Sequence, residues 1–138
     1  MMKPKLRSSL FLSLFVLVGL LLGLAGAAVG ADPKTSLGKW MKPHTGAPMA
    51  SDTPDFATLQ QSFGALAGAP APPAASYPKW TGFVQAGQAA AQKSDTAGVK
   101  GACNGCHKAV GPDGKTNYKE MYKASPDPGL EAWAVSQH

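Results

Sequence analysis

Apolar positions recur along this chain at helical spacing, and no run alternates as strand residues would. The clearest stripe is Phe56, Leu59, Phe63 and Leu66, at intervals of three, four and three, which places all four on one helix face. Thr53 followed by Pro54 predicts its start: a hydroxyl to cap the turn, then a proline whose missing N–H costs nothing there. Gly68 closes it, and residues 69–73 read as a stiff proline-rich loop. The next helix opens near Pro78, with Trp80, Phe83, Val84, Gly87 and Ala91 on one face. Its small residues, Ala86, Gly87 and Ala89 to Ala91, permit close approach of a neighbour or a flat cofactor. Asp95 or Thr96 caps a further helix that runs through Val99, Ala102, Cys103 and Cys106 to about Val110, where Gly111-Pro112-Asp113-Gly114 ends it. Ahead of these, a first short helix is predicted over residues 33–42, because Pro43 forbids a regular continuation, and Gly46 and Pro48 mark a turn. A short amphipathic piece over 117–124 and a loose tail complete the chain. The expectation is an all-α, four-helix-bundle-like domain whose first helix is shortened or irregular.

The N-terminus follows another pattern. Lys3, Lys5 and Arg7 precede an apolar run from Leu10 to about Ala28, and the small residues Ala27, Ala28, Val29, Gly30 and Ala31 follow. That order is the one expected of a secretory signal. The predicted organisation is a signal peptide over 1–31, cleaved after Gly30 or Ala31, and a single helical domain over 32–138, with periplasmic localisation. Retention of the run as a membrane anchor is the competing reading, since its length approaches that of a spanning helix.

Removing the leader changes the charge balance. The chain carries 13 basic and 8 acidic residues; three of the basic ones and none of the acidic ones lie in the leader, so the remainder is close to +2. No basic stripe with interleaved aromatics is left, which argues against a nucleic-acid partner. About 107 residues make one domain with a modest core, to which a buried cofactor would add apolar surface.

The two cysteines of the chain both fall in Cys103-Asn104-Gly105-Cys106-His107, the C-x-x-C-H pattern of c-type haem attachment. On a helix, Cys103 and Cys106 stand three apart on one face, within reach of the two vinyl groups of one porphyrin. His107, four residues after Cys103, presents its imidazole beneath the iron. The same residues could form a redox dithiol or part of a zinc site. A zinc site needs a fourth ligand from His44 or His138, neither at a usual finger spacing, and no βαβ patterning accompanies a thioredoxin-like dithiol. One covalent haem c is therefore the expected cofactor.

Most of the predicted helices precede this pentapeptide, and in that respect the chain resembles the class II c-type cytochromes, the cytochrome c′ family. Trp40-Met41-Lys42 with Gly46 and Met49 is similar to that family's first-helix run. Trp80 and Phe83 before an alanine-rich helix resemble its third helix, and Val99-Lys100-Gly101-Ala102 resembles the lead-in to its haem site. The likeness spans most of residues 34–110. Pro43 and Pro48 depart from the long first helix of the family, and residues 111–114 replace its usual helix end, with Tyr118-Lys119 as a later echo. The resemblance implies a four-helix bundle with haem on the last helix, and its low-spin members point to Met41 as the second axial ligand opposite His107. Met49 and His44 are the alternates, Met121 and His138 are more remote candidates, and an open distal side is the arrangement of gas-binding members.

The function expected is single-electron transfer between redox proteins outside the cytoplasm. Lys100, Lys108, Lys115, Lys119 and Lys123 gather near the haem segment and could orient acidic partners, although the interspersed acids favour a merely solvated face. The alternative is a five-coordinate protein that binds nitric oxide or carbon monoxide. A peroxide-using enzyme is not expected, because no arginine follows the leader to build a distal His/Arg pair. Membrane association is expected only if the leader is retained, and the sequence leaves a homodimer open.

Overall fold

A computed structural model describes residues 34–138, which belong to one compact unit. The leader, its cleavage site and the anchor reading lie outside the described residues. The fold is all-α and bundle-like. The first helical element comprises α1 (Ser36–Met41), a π-helical segment (Lys42–Gly46) and α2 (Ala47–Ala50). It is followed by α3 (Phe56–Gly68), α4 (Trp80–Gln92) and α5 (Thr96–Lys108), then by α6 (Tyr118–Ala124) and α7 (Pro128–Ser136).

Side-chain caps account for most of the starts. Asp95 accepts from the Gly98 N–H at 2.9 Å and opens α5, and Asn117 does the same for α6 through Glu120 at 3.0 Å. Helix α3 starts two residues later than Thr53-Pro54 suggests, because Asp55 is the cap: its carboxylate accepts from the Thr58 N–H at 3.0 Å. The predicted stripe on α3 is largely inward, with Leu59, Phe63 and Leu66 buried and Phe56 half-buried.

Two expectations are corrected. The first helix does not end at Lys42. Pro43 has no N–H for the Lys39 carbonyl, which rules out the i→i−4 bond there, but the chain widens to a π-helical register and keeps turning. The Ala47 N–H accordingly reaches back five residues to the Lys42 carbonyl. The tail is not loose either. Asp127 caps α7 by accepting from the Leu130 N–H at 2.8 Å, Pro128 fits the first turn, and Leu130 and Ala134 are fully buried.

Helix α3 packs on α4, and α4 on α5, through small residues. At Gly87 a methyl group would overlap the Phe63 ring, so only glycine permits this approach of α3 to α4. The π-helical segment leans on α3, α1 packs against α7, and α6 packs against α5. Helices α1 and α5 are not a closely packed pair, and a cleft opens between them.

Candidate haem-attachment cleft

The cleft has an apolar frame. Phe63 and Leu66 from α3, and Trp80, Phe83 and Val84 from α4, form its floor and sides. Met41 and Thr45 contribute the wall from the first helix, while Ala102, Cys103, Cys106 and His107 contribute the wall from α5. Its empty volume, open mouth included, is about 450 Å³. All three chemically informative residues of the pentapeptide thus face the same space as Met41.

Both cysteines are free thiols and half-buried, on one face of α5. Burial pushes the Cys106 thiol up to about 11, with the neighbouring Cys103 adding to the effect, and burial raises Cys103 as well. Both are therefore neutral thiols at physiological pH. His107 stands at the rim. Its residue surface is exposed, yet the ring is desolvated enough to lower its pKa, with the positive charge of Lys119 adding to the shift. A neutral imidazole is the form that can donate a nitrogen lone pair to a metal. The Phe83 ring comes so close to Gly105 that a Cβ there would lie 2.7 Å from Cε1.

These residues fit a covalently held porphyrin better than a simple metal ion. Among the described residues no group of three or more His, Cys, Asp or Glu side chains is placed to hold a metal ion. Attachment through carbon does not require such convergence. It requires two thiols on one face beside an apolar slot, and that is the arrangement present.

The other candidate ligands lie elsewhere. His44 is stacked on Trp40, with centroids 4.6 Å apart and planes at 9°, and its Nδ1 lies 2.7 Å from the Trp40 carbonyl oxygen. Met49 packs on the core but does not line the cleft. Met121 fills the space beside Gly111 and borders a separate cleft with Tyr77 and Pro73. His138 is exposed at the C-terminus. Among the five lysines noted in the sequence, Lys119 is near enough to affect His107, whereas Lys123 pairs with Glu120 at 2.8 Å. Thr45 was not legible as a cleft residue, because it lies between two prolines in a stretch that reads as a turn.

Comparison with protein-family models, curated proteins and solved structures finds no match to this chain. Among the described residues no helix is long and apolar enough to cross a membrane.

Proposed function

We propose that this chain is an exported monohaem c-type cytochrome that passes single electrons between redox proteins, built along the lines of the cytochrome c′ family. The observation that carries this reading is the convergence of Cys103, Cys106, His107 and Met41 on one apolar cleft. Bound haem would supply a one-electron iron couple, tuned by its axial ligands and by the dryness of its surroundings.

The chain's own residues divide the remaining work. Cys103 and Cys106 would anchor the ring edge through thioethers, and His107 would be the proximal ligand from the same helix. Met41 would approach from the first helix and close the distal side. Phe63, Leu66, Trp80 and Val84, which line the cleft, would exclude water from a bound haem and keep the local dielectric low. Exposed lysines around the end of α5, Lys108 and Lys119 among them, offer a positive rim to an acidic redox partner.

The test is the oxidised and ferrous optical spectra of the exported protein, with carbon monoxide added to the ferrous form. A thioether-to-iron charge-transfer band and slow or absent carbon monoxide binding support the carrier. Rapid, tight carbon monoxide binding by the unmutated protein favours the gas-binding alternative.

A further inference from the structure

Among the described residues Thr45 and Ser62 are the two buried polar side chains, 6% and 3% exposed, and both act on the segment that carries Met41. The Thr45 hydroxyl donates to the Met41 carbonyl at 2.9 Å, one turn back. The Ser62 hydroxyl on α3 lies 2.7 Å from the His44 carbonyl oxygen and 2.8 Å from that of Thr58, sharing its one proton between them. A reason for the Ser62 contact is visible in the sequence. In a regular helix the His44 carbonyl would face the N–H of residue 48, and Pro48 has none. The donor therefore comes from the neighbouring helix. His44 Nδ1, 2.7 Å from the Trp40 carbonyl, completes three side-chain bonds across a five-residue π-helical turn. Such turns are frequent at functional sites, and this one starts immediately after Met41 and places Thr45 in the cleft wall.

We infer that Thr45 and Ser62 are positioning residues that pin the π-helical turn to α3 and so hold Met41 at the cleft wall as an axial ligand. The inference rests on the haem-carrier reading and adds to it. Thr45 fixes the Met41 backbone relative to the turn that follows, and Ser62 fixes that turn relative to the bundle. With both bonds made, the backbone that carries Met41 is held at the cleft wall. With either lost, the turn can relax towards other registers and the thioether leaves the iron more often.

The experiment uses the haem-loaded protein and four variants: Met41→Ala, Thr45→Val, Thr45→Ser and Ser62→Ala. It reads the thioether-to-iron charge-transfer band, the reduction potential and the rate of carbon monoxide association, well below the melting temperature. Thr45→Val keeps the shape and removes the hydroxyl. It should weaken the band, lower the potential and speed carbon monoxide association by about tenfold, the factor expected for one lost buried hydrogen bond. Ser62→Ala should act in the same direction, and Thr45→Ser should restore wild-type behaviour. If Met41→Ala responds and neither Thr45→Val nor Ser62→Ala alters the three readouts, the positioning role is overturned and Met41 ligation stands. If Met41→Ala leaves the spectrum unchanged, ligation by Met41 fails and the positioning role falls with it. Should Thr45→Val not fold, Ser62→Ala decides the matter alone.

Discussion

The Glu131 carboxylate on the last helix accepts the backbone N–H of Ser36 at 2.7 Å, capping the first helix from 95 residues away. Its second oxygen accepts from the Leu37 N–H at 3.0 Å and from the Tyr122 hydroxyl at 3.0 Å. One carboxylate thus satisfies two orphan donors of α1, sits where a helix dipole favours negative charge, and ties α6 and α7 to the helix that carries Met41.

This contact makes stability depend on pH. Burial acts to raise the Glu131 pKa, but the bonds from Leu37, Ser36 and Tyr122 outweigh it and hold the group below the ordinary value. A depressed folded pKa means that the stabilisation is fully present above the unfolded value, near 4.5, and fades as the pH falls through the lower folded value. Glu131→Ala should cost about 1–3 kcal/mol at neutral pH and less in acid. Urea unfolding of the loaded protein at both pH values checks this, and an equal loss at both would contradict it.

Gly87 and Phe63 set the spacing of α3 and α4, and Phe63 also lines the cleft. Gly87→Ala should therefore destabilise the fold by about 1–3 kcal/mol despite alanine's better helix propensity. Because the Phe63 ring must move, the haem absorption bands should shift as well. Thermal melts and optical spectra of the same sample test the two effects together.

The residues of the pentapeptide should fail differently. Cys103→Ala leaves Cys106 to form one thioether, so part of the protein should still retain haem on denaturation, with a red-shifted ferrous α-band. His107→Ala removes the proximal ligand and should disturb the spin state most, while both thioethers can still form. Mass spectrometry and optical spectra separate the two variants. Identical spectra would contradict the assigned roles.

The regular helices were legible because their signals are local. The 3.6-residue stripe of Phe56, Leu59, Phe63 and Leu66, the Asp95 cap and the glycine-proline stop after α5 each lie within a few residues of the feature they determine. Helix α7 was missed because Ser125-Pro126-Asp127-Pro128-Gly129 reads as a run of breakers, although Asp127 before Pro128 is itself a start signal. The π-helical turn was missed for a different reason: Pro43 excludes the i→i−4 bond, not the wider register. The donor that supports it, Ser62, lies 18 residues from His44 and is found only once α3 has packed. The spacing of Cys103, Cys106 and His107 is a local signal, and it is what suggests haem attachment. Their proximity to Met41 is a tertiary fact, visible in the shared cleft and in no local pattern.

Intact mass of the exported protein after acid-acetone treatment tests the central proposal most directly. The account predicts a chain that begins near residue 31 or 32 and carries the added mass of one haem that the extraction does not remove. A mature chain of unmodified mass, or haem released completely into the acetone, would contradict it.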